Sequence, residues 1–146
     1  MKKDVNQSTT PLKTEKLISI ETTETSYDKS LVKSSPLEIP STAKVAKQAK
    51  TGYKQIKYTW SDDVYKYEAR WHTRTPGAPK AQGNTWVITR TTPGKATGQP
   101  KVQHIMTGEN EWTTMNEWQK AVIARQNGVT TPEQQSLLDR GHWPAP

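Results

Sequence analysis

Glu68, Arg70, His72 and Arg74 follow one another at every second position of the segment 64–75, interleaved with Tyr65, Tyr67, Ala69, Trp71 and Thr73. Successive side chains of a β-strand point to opposite faces. Extended, this segment shows one aromatic face and one row of ionisable groups. Neighbours on that row lie roughly 7 Å apart, because a strand rises about 3.3 Å per residue. A carboxylate, an imidazole and guanidinium groups at that spacing can reach around one phosphodiester. An imidazole gives or takes a proton near neutral pH. A carboxylate can serve as a base, and Arg presents a planar fork that pairs with phosphate oxygens. Cleaving RNA without a metal needs a base for the 2′-hydroxyl, an acid for the leaving 5′-oxygen, and cations for the phosphoryl charge. The alternative is a solvated strand face with cross-strand ion pairs, which is the expectation for Lys66.

Further candidates lie downstream. Arg90 and Thr92 end a strand expected over 85–92, where Arg90 either clamps phosphate or guards a sheet edge. Lys101 is a candidate for the nucleic-acid backbone. His104 shares a face with Val102 and Met106, so it is a substrate contact or a satisfied edge histidine. Trp86 is a candidate for stacking a base beside basic loops, against the alternative of a buried core residue. His142 sits beside Trp143 and reads as structural. No His has a metal-binding partner three or four residues on, and there is no Cys. Neither a zinc site nor any other cofactor is expected.

The charge pattern favours a polyanionic partner. The chain of 146 residues carries a formal net charge of +7. Over 64–104, Lys66, Arg70, Arg74, Lys80, Arg90, Lys95 and Lys101 face Glu68 alone. Such an excess attracts nucleic acid.

Composition divides the chain. Hydrophobic residues make up only 31%. Every Trp, and every Tyr except Tyr27, lies beyond position 52. Residues 1–50 are rich in Ser, Thr and Lys and read as a disordered leader, with 43–50 as a helical turn or a basic tether. Residues 51–146 read as one folded domain with a small core. The expected elements are strands over 53–60, 64–75, 85–92 and 101–106, with basic Pro/Gly loops at 76–83 and 93–100. Asp62 marks the turn between the first two strands. Thr114 with Glu117, and Thr131 with Pro132 and Gln134, open two helices. Gly128 and Gly141 stop them. The expected fold class is α+β: an antiparallel sheet of about four strands followed by two short C-terminal helices on one face. No apolar run reaches the length of a membrane span, and the first residues lack the apolar stretch of a cleavable signal peptide.

The strings Tyr67-Glu-Ala-Arg-Trp-His-Thr-Arg-Thr-Pro-Gly-Ala-Pro79 and Gly83-Asn-Thr-Trp-Val-Ile-Thr-Arg-Thr-Thr-Pro-Gly94 resemble the C-terminal toxin domains of bacterial polymorphic toxins, the variable tips of Rhs, contact-dependent inhibition and LXG-type proteins. The resemblance spans about 53–146, with Trp112-Thr-Thr-Met-Asn-Glu-Trp118 and the Gly141-His-Trp ending. It implies a small nuclease, often a ribonuclease, secreted or delivered into the cytoplasm of a competitor and blocked at home by a cognate immunity protein. It also implies an exchangeable cassette behind a variable linker, as the leader suggests. The combined expectation is a metal-independent ribonuclease. His72, Glu68, Arg70, Arg74 and Arg90 would be its catalytic residues, and Lys101, His104, Trp86 and Thr92 its substrate contacts. Two alternatives remain. One is a non-catalytic basic module that binds nucleic acid. The other is a magnesium-dependent DNase, because Asp62-Asp63 followed by Glu68-Ala-Arg70 is loosely similar to the acidic pattern of restriction-type enzymes. Arg70 stands where that pattern needs lysine.

Overall fold

The computed structural model describes residues 28–93, 98 and 100–146. Residues 1–27 of the leader expected over 1–50, and most of the loop expected over 93–100, lie outside the described residues. Eight elements carry the architecture up to the first long helix. They are α1 (Lys29–Lys33), β1 (Lys44–Lys50), β2 (Tyr53–Ser61), β3 (Lys66–His72), β4 (Thr85–Thr92), β5 (Val102–Gly108), β6 (Glu111–Thr114) and α2 (Met115–Gln126). Then come α3 (Pro132–Gly141) and a two-residue strand, β7 (Trp143–Pro144). The sheet is an antiparallel meander in the order β1-β2-β3-β4-β5-β6, and β7 pairs with β4 beyond the end of β5. The fold is α+β, with a sheet larger than the four strands expected.

Tight turns made from the residues that favour them join neighbouring strands. Gly52, at φ +85°, closes β1 onto β2. The Asp62 carboxylate accepts from the amides of Val64 (2.8 Å) and Tyr65 (2.7 Å), an Asx turn between β2 and β3. Asn110, at φ 60°, turns β5 into β6. Both helices start where their signals place them, the first with the N-cap half of its box and the second with the whole of it. Thr114 accepts from the Glu117 amide at 3.3 Å. Thr131 and Gln134 form a reciprocal capping box behind Pro132.

Register fixes which residues share a face. Lys57, Arg70 and Val87 stand side by side on β2, β3 and β4, as do Tyr58, Ala69 and Ile88 on the other face. Helices α2 and α3 cover β5 and β6 on the first face, around Val87, Ile105, Trp118, Ala121 and Leu138. The second face holds Tyr58, Ala69, Trp86, Ile88 and Met106. Val32, Ile39 and Val45 complete that core.

These last three residues correct the expected boundary at 51. The described fold starts at Asp28, and 44–50 is neither helical nor a tether. It is a strand, matched to β2 residue by residue from Lys44↔Thr59 to Lys50↔Tyr53. Its composition is poor in apolar residues because it is an edge strand. Backbone hydrogen bonds hold it, Val45 faces the core, and Lys44 and Lys50 face water. Strand β6 has four residues and runs directly into α2, so the helix signal masks it. Among the described residues no helix is long and apolar enough to cross a membrane.

Candidate active-site cleft

Where β3 ends, the sheet and the C-terminal end of α2 leave a cleft of about 610 Å³. Arg70 and His72 enter it from β3, Tyr53 and Gln55 from β2, Arg125 from α2 and His142 from the residue after α3. Trp118 and Val87 supply apolar wall.

His72 is the last residue of β3 and is only 7% exposed. Its Nδ1 lies 3.2 Å from the Thr73 carbonyl oxygen. A carbonyl only accepts, so Nδ1 carries the proton there and Nε2 keeps its lone pair. The Thr85 hydroxyl, opposite in the register, lies 3.4 Å from the ring nitrogens. Tyr53 stands edge-on, with ring centroids 6.1 Å apart.

His142 is held in a similar way. Its Nδ1 lies 2.7 Å from the Leu138 carbonyl, and its backbone amide donates to that same oxygen at 3.1 Å. Here too Nε2 keeps its lone pair. The ring lies against Trp118, with centroids 5.0 Å apart. Gly141 makes this possible, because any Cβ there would overlap the Trp118 ring. The glycine that ends α3 therefore also brings the histidine to the cleft.

Electrostatics keep both imidazoles neutral at rest. Burial pushes His72 below its ordinary value. The Thr73 carbonyl works against this, and Arg70 adds to it. Burial pushes His142 down to about 4, opposed by the Leu138 carbonyl and assisted by Arg125 and His72. The two cations are themselves positioned. Arg70 Nε lies 3.1 Å from a Glu68 carboxylate oxygen, with each side chain about a third exposed (31% and 33%). Arg125 donates to the Gln82 side-chain carbonyl at 3.3 Å. The cleft thus offers two neutral imidazoles, each with an unprotonated nitrogen, two guanidinium groups, a phenol and an amide. This set can exchange two protons and neutralise an anion.

The structure brings only part of the expected site together. His72 and Arg70 line the cleft. Glu68 is two residues further along the strand and serves as the counter-ion of Arg70, not as the partner of His72. Arg74 lies beyond the end of β3 and donates to the carbonyls of Pro79 (3.2 Å) and Ala78, tying down its own loop. Arg90 points to the other face of the sheet. Its guanidinium is 4.2 Å from the centroids of both Tyr65 and Trp112, a cation held between two rings. Trp86 is fully buried, with its indole N–H donating to Ser34 Oγ at 2.8 Å, so it cannot stack a base. His104 pairs with Arg90 on that same opposite face, and its buried Nδ1 has no partner among the described residues. Thr92 pairs with Val102, next to Lys101, at the end of β4 away from Thr85 and His72. That separation is about 23 Å along the strand. The faces and ends of the sheet therefore exclude Arg90, Thr92, Lys101, His104 and Trp86 from the His72 cleft.

Sequence reasoning missed His142 and Arg125. The Gly-His pair at a helix end was the available signal for His142. Arg125 carried none, because its approach to the cleft depends on where α2 packs. Among the described residues no group of three or more His, Cys, Asp or Glu could hold a metal ion. No family model, curated protein or solved structure matches the chain.

Proposed function

We propose that the chain is the nuclease domain of a bacterial polymorphic toxin: a metal-independent ribonuclease that acts in the cytoplasm of a competitor and is neutralised by a cognate immunity protein. The observation that carries the reading is the meeting of His72 and His142 with Arg70 and Arg125 in one cleft. The four residues come from β3, from α2 and from the end of α3.

The chemistry is a transesterification. One imidazole takes the proton of a 2′-hydroxyl through its unprotonated Nε2. The 2′-oxygen forms a bond to phosphorus, and the bond from phosphorus to the 5′-oxygen breaks. The other imidazole delivers a proton to that leaving oxygen, and the product is a 2′,3′-cyclic phosphate. The acid must be charged beforehand. Burial and the neighbouring guanidinium groups favour the neutral form of both histidines. An entering phosphodiester supplies the negative charge that lets one of them take up its proton. Arg70 and Arg125 then face the charge that builds on the phosphoryl oxygens.

The test is incubation of the full chain with total RNA and with tRNA in EDTA, beside His72→Ala. The expected result is cleavage leaving cyclic phosphate ends, reduced roughly 10²- to 10⁴-fold in the variant. Intact RNA with the wild type, or equal cleavage by both proteins, refutes the proposal.

A further inference from the structure

The helices cover only part of the sheet. Both α2 and α3 pack on β5, and α2 also on β6, while among the described residues a helix approaches β1–β3 on the same face chiefly at the cleft, through the C-terminal end of α2. An antiparallel sheet commonly leaves one polar face to water, and this one is also strongly cationic. It presents Lys44, Gln48 and Lys50 on β1, Lys57 and Thr59 on β2, and Lys66 and Arg70 on β3. Glu68 is the carboxylate on this part of the face, and it is committed to Arg70. A surface built for solubility alone mixes both signs.

The cations also lie in line with the cleft. Lys57 is the direct register neighbour of Arg70, which lines the cleft. Ala46 is the neighbour of Lys57, and Lys44 lies two residues further along β1. Lys50 is opposite Tyr53, another cleft residue. Adjacent strands lie about 4.8 Å apart and same-face neighbours roughly 7 Å apart, so Arg70, Lys57 and Lys44 form a diagonal row leading away from the histidines.

We infer that the open β1–β3 face is the track that holds the backbone of the substrate, and that the substrate is single-stranded RNA; the choice of RNA rests on the function proposed above. The depth of His72 selects the single strand. At 7% exposure it lies at the bottom of the cleft, so a nucleotide must be splayed inward to present its 2′-hydroxyl and phosphate. An unpaired strand does this readily, whereas a paired one must first unstack and unpair. A flat row of cations suits an extended backbone.

Binding can be measured without turnover, using a fluorescent, fully 2′-O-methylated 12-mer that lacks the nucleophile. The full chain is titrated with this strand and with its blunt duplex over a range of salt concentrations. The variant Lys44→Gln/Lys57→Gln/Lys66→Gln is expected to bind the single strand about tenfold more weakly. Its log K against log salt slope should be shallower by about 2, because each phosphate that is no longer neutralised removes about 0.7 from the slope. The matched arginine triple (K44R/K57R/K66R) keeps the charge and should bind like the wild type. A control of equal charge loss, Lys29→Gln/Lys33→Gln/Lys54→Gln, removes lysines outside the track and should leave the slope unchanged. An unchanged slope in the first variant, an equal loss in the control, or tighter binding of the duplex overturns the inference. RNA cleavage with no dependence on the track overturns the track alone. Track-dependent binding with no cleavage of ordinary RNA overturns the ribonuclease reading alone.

Discussion

Replacing His142 should change how the stability of the protein depends on pH, and the sign follows from burial. Packed against Trp118 and facing Arg125, His142 is pushed from an ordinary 6.5 to about 4. Above pH 6.5 the ring is neutral in both the folded and the unfolded chain, and its contribution to stability is complete. Between pH 6.5 and 4 the unfolded chain takes up a proton and the folded chain does not, so stability falls as the pH falls. Below about 4 both forms are protonated and the loss levels off. The displacement corresponds to about 3 kcal/mol over that window. His142→Gln removes the titrating group and leaves the others. Urea unfolding followed by Trp fluorescence, at intervals from pH 7.5 to 4, gives both stability curves. The wild-type curve should fall relative to the variant by about 3 kcal/mol on acidification, nearly all of it between pH 6.5 and 4. Curves that stay parallel to within about 0.5 kcal/mol would refute the burial and orientation assigned to this ring.

Other outcomes follow from the same geometry. His142→Ala should reduce RNA cleavage by roughly 10²- to 10⁴-fold at pH 7 while the far-UV circular dichroism stays native, and retention of full activity would remove His142 from the proposed site. Gly141→Ala forces a Cβ into the Trp118 ring and should lower stability by about 1–3 kcal/mol in urea titration, with loss of cleavage as His142 is displaced. Arg90→Lys loses the flat stack between Tyr65 and Trp112. It should cost about 0.5–1 kcal/mol and leave cleavage unchanged, because Arg90 lies on the opposite face, so an inactive but folded variant would contradict the separation of the two faces. Thr131→Ala removes the capping box of α3 and should cost about 1 kcal/mol in thermal or urea unfolding.

What was legible from the sequence is what short-range physics sets. The alternation through 64–75 gives β3 and places Lys66, Glu68, Arg70 and His72 on one face, because a strand has a period of two whatever it packs against. Thr114, Thr131 and Pro132 mark helix starts through hydrogen bonds made within one turn. The Asp62 turn is equally local. Strand β1 was hidden because an edge strand needs few apolar residues once a neighbour supplies its hydrogen bonds, and β6 because four residues leading into a capped helix give no periodic signal.

The sequence by itself determined the α+β class, the charged row on β3 and the basic excess around it. Only the tertiary structure decided which charges meet. Arg90 and His72 are both exposed to choice in a linear reading, but register puts them on opposite faces of one sheet, and a side chain cannot reach through a sheet. His142 and His72 are separated by 70 residues, yet the residue after α3 reaches the cleft because Gly141 lets the helix end close against Trp118. Pairing partners and helix docking are long-range choices made by the whole core, and the cleft exists only where those choices bring β3 and the ends of two helices together.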